Sequence, residues 1–285
     1  MGGTGSLCCY RHPDRPTGIF CTRCDRPICP ECMVPASVGF QCPECVREGQ
    51  ASIPAVRRGS GLRTAGRRWG AVTLTLIAAN VAMFLVTAVS AVSVGSPPLD
   101  NWLSPVFAEL AQRPFLVQLG EWWRLITAAF LHIGPVHLVM NMLALLLFGS
   151  ELERRLGRAR FLGVYLVAVL GGSTAIQLFG YPDGYVAGAS TAIYGLLGAL
   201  GVLLLAQRQD IRGLLTLLAI NVFISFLPGV SLLGHLGGLV AGALAAGVLL
   251  ATRRRESLQV PALALLGVVF VVLSLTVPTI AIANI

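Results

Sequence analysis

The chemistry this sequence could carry lies in two places. Near the N-terminus, Cys9-x2-His12, Cys21-x2-Cys24, Cys29-x2-Cys32 and Cys42-x2-Cys45 set four ligand pairs within 37 residues. Thiol and imidazole ligands paired in this way suit tetrahedral zinc, so the eight ligands predict two structural Zn2+ ions. Farther along, His137, Asn141, Ser190, Tyr194 and His235 interrupt long apolar runs, with Asn80, Gln177 and Asn221 as lesser candidates. A hydroxyl and an imidazole in contact make a nucleophile and its base, and Ser190 and His235 are the residues of those types whose positions match best.

The elements that must position them are membrane helices. Of 285 residues, 55% are hydrophobic and 12% charged, against roughly 25% charged in a soluble domain, which argues against a soluble single domain. Reading runs of about 17 to 25 apolar residues as spans gives seven, at 71–95, 136–149, 161–179, 188–206, 214–227, 232–251 and 261–283, the second and fifth short. No leader peptide is read ahead of the first run, which therefore serves as the anchor. The net charge of +8 comes from 21 arginines without a lysine. Fourteen of them sit in alternate connections: Arg57, Arg58, Arg63, Arg67 and Arg68 before the first run, Arg154, Arg155, Arg158 and Arg160 after the second, Arg208 and Arg212 after the fourth, and Arg253, Arg254 and Arg255 after the sixth, while the connections between hold only Arg113 and Arg124. By the positive-inside rule the N-terminus is cytoplasmic and the C-terminus external. The same clustering orients helices rather than binding nucleic acid, and no nucleic-acid partner is expected.

Counting along the helices sets depth. His137 lies 17 residues before Arg154, Ser190 lies 18 before Arg208, and His235 lies 18 before Arg253. At ~1.5 Å per residue all three sit ~26 Å above a cytoplasmic arginine, on the outer side of a core ~30 Å thick. Asn141 falls one turn below His137 on the same face. Small residues at Gly188, Ala192, Gly195 and Ala199, and at Gly234, Gly238, Gly242 and Ala246, would let the fourth and sixth helices approach closely. Ser190 also opens its helix, where unpaired backbone N–H groups favour a developing oxyanion, and Asn141 and His137 could add side-chain donors. The apolar runs contain no Asp or Glu, so a hydrolase here works as a Ser190–His235 dyad without a catalytic cofactor. Tyr194, one turn below Ser190, either fills space or holds the His235 ring.

Taken in order, Trp123-Arg124, His137-x-x-x-Asn141, Gly188-Ala-Ser190 and Gly234-His235 resemble the rhomboid family of intramembrane serine proteases, over roughly residues 71 to 251. The resemblance implies that Ser190 is the nucleophile and His235 the base. It also implies that His137 and Asn141 bind the oxyanion, that Tyr194 stacks on the base, and that Trp123, Arg124 and Glu153 are scaffold. Thr191 departs from the glycine that many members carry after the serine. The implied fold is an all-α membrane protein, a bundle of six transmembrane helices plus a seventh at the C-terminus, preceded by a small zinc-binding domain. The implied reaction is cleavage of peptide bonds in or beside transmembrane segments of protein substrates. A polar cavity above Ser190 should admit water, with the fifth helix and the loop above it as substrate gate. His132 is expected in a loop near the cavity mouth.

The head resembles a B-box-type zinc finger, which implies cross-braced pairing: Cys9 and His12 with Cys29 and Cys32, and Cys21 and Cys24 with Cys42 and Cys45. Sequential pairing stays open, and Cys8 is spare or an alternative to Cys9. The expected organisation is a cytoplasmic head at 1–48, a basic linker at 49–70 lying on anionic lipid, the six-helix core at 71–251 and the seventh helix at 252–285. Expected partners are transmembrane substrates, the lipid bilayer and an unknown protein bound by the head, in a multi-pass bacterial plasma-membrane protein. A non-proteolytic adaptor that binds transmembrane helices is the alternative, and a small transporter the third reading.

Overall fold

The computed structural model describes residues 7–52, 65–66, 68–225 and 230–278. Most of the expected linker, four residues of the loop at 226–229 and the last part of the seventh run lie outside the described residues. The chain divides into two compact units, Met1–Gly59 and Ser60–Ile285.

The first unit has little regular structure. Strands β1 (Val34–Pro35) and β2 (Phe40–Gln41) pair antiparallel, with Val34 opposite Gln41, and helix α1 (Pro43–Ser52) follows. Its buried apolar residues are six cysteines and Ile28. So few aliphatic side chains supply little hydrophobic stabilisation, and domains of this size are commonly held by metals or cross-links.

The second unit is helical: α2 (Ala71–Ser93), α3 (Gly134–Leu156), α4 (Arg158–Phe179), α5 (Ser190–Ala206), α6 (Arg212–Ile224), α7 (Leu232–Ala251) and α8 (Gln259–Thr276). Five helical stretches, α2, α3, α4, α7 and Glu256–Thr276, are long and apolar enough to cross a membrane, whereas α5 and α6 are shorter. Helix α3 runs past the apolar stretch 136–149 because its charged end stays helical: a π turn at Leu145–Gly149 joins it to Ser150–Leu156, where Glu151 pairs with Arg155 at 2.6 Å. Gly157, at φ +78°, ends it. Just before that end, Glu153 accepts from the backbone N–H of Val72 (3.0 Å) and Thr73 (2.8 Å) and from Thr73 Oγ1 (2.8 Å). These backbone groups are first-turn donors of α2 that have no partner within their own helix.

Helices α4, α5 and α7 meet backbone to backbone. A Cβ on Gly198 would overlap the Leu239 carbonyl, one on Gly238 the Thr191 carbonyl, and one on Gly242 the Gly195 carbonyl. Close approach through small residues is how helices gain packing energy in lipid. Gly188 is not part of this face. It precedes α5 with φ +137°, a conformation open mainly to glycine. Helix α8 lies against α4, with Thr174 Oγ1 2.9 Å from Ser274 Oγ.

The segment between α2 and α3 folds into short helices, among them Pro105–Leu110, Pro114–Gln118 and Arg124–Thr127. Arg124, only 2% exposed, donates to the carbonyls of Ala108 (2.7 Å) and Ala111 (2.8 Å) and through Nε to Glu121 (2.6 Å). Gln112 pairs its backbone with Val186, its side chain donates to the Ser173 carbonyl at 2.8 Å, and Ser173 Oγ donates to the Leu125 carbonyl at 2.7 Å. Together these bonds fix the connection against α4 and against the loop that leads to Ser190.

Candidate active site

Ser190 is the first residue of α5 and His235 lies in the first turn of α7, whose N-cap Ser231 accepts from the Gly234 N–H at 3.2 Å. With α5 and α7 in backbone contact one turn deeper, the two side chains meet: His235 Nε2 lies 2.8 Å from Ser190 Oγ. The Tyr194 ring stacks on His235, centroids 4.0 Å apart and planes 12° apart. Imidazole and phenol thus lie face to face, and the ring can reach Ser190 only edge-on. His235 is 5% exposed.

His137 borders the same point. The Ile133 backbone N–H donates to its Nδ1 at 3.3 Å, which leaves the ring proton on Nε2. A Cβ built on Gly188 would lie 3.0 Å from His137 Nε2 and 3.4 Å from Ser190 Oγ. The space that glycine leaves is therefore edged by a hydroxyl and a ring N–H. Asn141 donates one side-chain N–H to the His137 carbonyl at 2.8 Å, and its amide nitrogen carries a second. Thr191 fits because Gly172 and Gly234 leave room for it, a Cβ on either falling about 3 Å from its side chain.

A match to the Rhomboid domain family covers residues 119–252. Residues 119–252 form a rhomboid domain. The chain is 37% identical over 184 residues to the rhomboid protease GluP of Bacillus subtilis, covering 62% of this chain and 34% of that protein. It is 40% identical over 131 residues to the putative rhomboid protease YdcA of the same organism, covering 44% and 66%. It is 42% identical over 134 residues to the mitochondrial RHOMBOID-like protein 6 of Arabidopsis thaliana, covering 45% and 43%. The chain thus spans between about a third and two thirds of the length of these relatives.

Around the rhomboid core, several polar residues serve packing. Asn80 donates to the Leu76 carbonyl, Asn221 to the Leu217 carbonyl and Gln177 to the Pro114 carbonyl. His132, expected at a cavity mouth, is wholly buried and stands edge-on to His137 at 5.1 Å. An open apolar groove of about 250 Å³ between α2 and α3 is lined by residues such as Ile77, Leu138 and Met142, and by neither Ser190 nor His235. The loop expected to gate the site includes 226–229, outside the described residues. Sequence reasoning misses Ser225 altogether. Its Oγ lies 2.6 Å from His235 Nδ1 and 2.8 Å from Tyr194 Oη.

In the head, Cys9, His12, Cys29 and Cys32 gather in one group and Cys21, Cys24, Cys42 and Cys45 in another, the ligand atoms of each within 4.8 Å of one another. This is the cross-braced arrangement. His12 turns Nδ1 inward, 3.3 Å from Cys29 Sγ and 3.5 Å from Cys32 Sγ. Burial pushes the Cys9 thiol up, but backbone N–H groups of Cys29, Arg11 and His12 and the His12 ring outweigh it and lower the thiol to about 6. Cys21 is brought to about 6 in the same way, against burial, by N–H groups of Cys42, Arg23 and Cys24. Burial and the neighbouring thiols push Cys32 and Cys45 up instead, so it is the gathering of four ligand atoms, not the titration of the thiols, that lets each group hold a metal ion. Cys8 belongs to neither, and its backbone bridges to Pro16.

Proposed function

We propose that this chain is an intramembrane serine endopeptidase that hydrolyses peptide bonds in or next to transmembrane segments of membrane proteins. The observation that carries the reading is the 2.8 Å separation of Ser190 Oγ and His235 Nε2 within a rhomboid domain. Ser190 Oγ attacks the scissile carbonyl carbon as His235 Nε2 takes its proton. The carbonyl oxygen becomes an oxyanion, held by His137 Nε2–H, by Asn141 and by the first N–H groups of α5. Collapse of the tetrahedral species expels the amine, which receives the proton from His235 and leaves an acyl-enzyme on Ser190. Water then gives a proton to His235 and attacks the acyl carbon; the bond to Ser190 Oγ breaks, His235 returns the proton to Oγ, and the acid is released. Tyr194 keeps the imidazole plane aligned throughout.

The arginine clusters support a bacterial plasma-membrane protein with its N-terminus in the cytoplasm and its C-terminus outside, so that the dyad opens toward the external face. The reading keeps a head at 1–48, a linker at 49–70, the six-helix core at 71–251 and a seventh helix at 252–285. Two Zn2+ ions suit the head: one donor set is three cysteines with a histidine and the other is four cysteines, both common at structural zinc. The metal would cross-link four short segments, and the folded head would present a surface to a protein partner.

Membrane-fraction proteomics comparing wild type with Ser190→Ala tests the reading. Fragments ending in or beside transmembrane segments should appear only with the wild type. Identical fragment sets would favour the adaptor alternative.

A further inference from the structure

Reading Ser190 and His235 as nucleophile and base leaves open what sets the proton on the base, since among the described residues no carboxylate bonds to Nδ1. We propose that Ser225, at the end of α6, is the positioning residue that fixes the tautomer of His235. The inference rests on that catalytic reading.

A serine hydroxyl has one hydrogen to donate and two lone pairs. Ser225 Oγ meets three partners: the Asn221 carbonyl at 2.9 Å, Tyr194 Oη at 2.8 Å and His235 Nδ1 at 2.6 Å. The Asn221 carbonyl can only accept and takes the Ser225 backbone N–H at 3.0 Å; its 2.9 Å contact with Oγ holds a hydrogen only if the Ser225 hydroxyl donates there as well. Both lone pairs then remain to accept, one from Tyr194 O–H and one from Nδ1–H of His235. A neutral imidazole protonated on Nδ1 carries its lone pair on Nε2, the atom 2.8 Å from Ser190 Oγ. This assignment alone places a hydrogen in all three contacts, whereas donation to Nδ1 would leave two oxygens facing each other at 2.9 Å; it is also the assignment in which His235 can take the serine proton.

The same bond survives the proton transfer. When Nε2 is protonated, Nδ1–H still donates to Ser225, whose oxygen dipole faces the new cation. Ser225 is 3% exposed, so water does not readily replace it. It thereby does with a neutral hydroxyl what an aspartate does in a Ser-His-Asp triad, holding ring and tautomer, and the stacked Tyr194 joins the same network through its own hydroxyl.

The test uses the full chain in lipid nanodiscs with 15N-histidine, reading the ring nitrogens by NMR and the rate of fluorophosphonate labelling at Ser190. Wild type and Ser190→Ala should both show His235 as the Nδ1–H tautomer. Ser225→Ala should lose that pattern and label at least about tenfold more slowly, short of the roughly 10⁴-fold loss seen when a charged triad aspartate is changed. The loss should lie in the maximal rate, with the concentration dependence little altered, and Ser225→Thr should restore both readouts. An Nε2–H ring in the wild type overturns the proposal without any variant, as does Ser225→Ala labelling at the wild-type rate. Labelling that persists in Ser190→Ala sinks the catalytic reading instead, while the NMR pattern still reports on Ser225.

Discussion

Ser190 and His235 stand 45 residues apart in sequence and 2.8 Å apart in space. Their meeting is legible in the sequence because depth in a membrane helix can be counted from charged ends. His137 is legible as a ring at the same level, and its tautomer becomes clear only with the Ile133 N–H in place. Ser225 is not legible: a serine at the end of an apolar run belongs to no motif, and its value arises where the end of α6 meets α7. His132 departs from its expected place for a related reason, since a histidine in a loop gives no sign that the loop itself is buried. For the oxyanion we expect His137→Ala to lower the rate of substrate cleavage about a hundredfold with little change in KM, the scale for losing one such donor. Steady-state kinetics on a reconstituted transmembrane substrate checks this, and an unchanged turnover rate would remove His137 from the oxyanion site.

At the level of elements, each of the seven apolar runs holds a helix, because a stretch of hydrocarbon side chains in lipid must satisfy its backbone internally. What hydropathy hides is the charged continuation of α3, where Glu153 reaches the start of α2. Glu153→Ala strands two backbone donors and a hydroxyl, and should cost about 2 kcal/mol of stability, read by denaturant unfolding in detergent. The small-residue faces are visible as four-residue spacing, yet Gly188 serves a loop, since spacing alone does not say where a helix starts. Gly242→Val would drive a side chain into the Gly195 carbonyl, so it should lower the unfolding midpoint and abolish fluorophosphonate labelling together. Gly247→Val, with open space around that position, should change neither.

The whole molecule joins two units held by different means. The division is plain in the sequence, since all eight cysteines precede residue 46 and the apolar mass follows. The head's cross-braced pairing is not fixed by spacing, because sequential pairing satisfies the same ligand count; the fold of the loops between the pairs decides it. With so little aliphatic core, the head should depend on its metal. Treating the full-length protein with a strong zinc chelator is expected to release about two ions per chain and to make the stretch 7–52 sensitive to trypsin. Labelling of Ser190 should continue unchanged in the same sample. Trypsin resistance persisting after complete metal loss would mean that the head folds without metal.

The most direct measurement is site mapping of the fluorophosphonate adduct on the full-length protein in membranes. The account predicts a single adduct, on the peptide holding Ser190, absent from Ser190→Ala and strongly reduced in His235→Ala. A folded wild-type protein that never labels, or an adduct that survives Ser190→Ala, would contradict it.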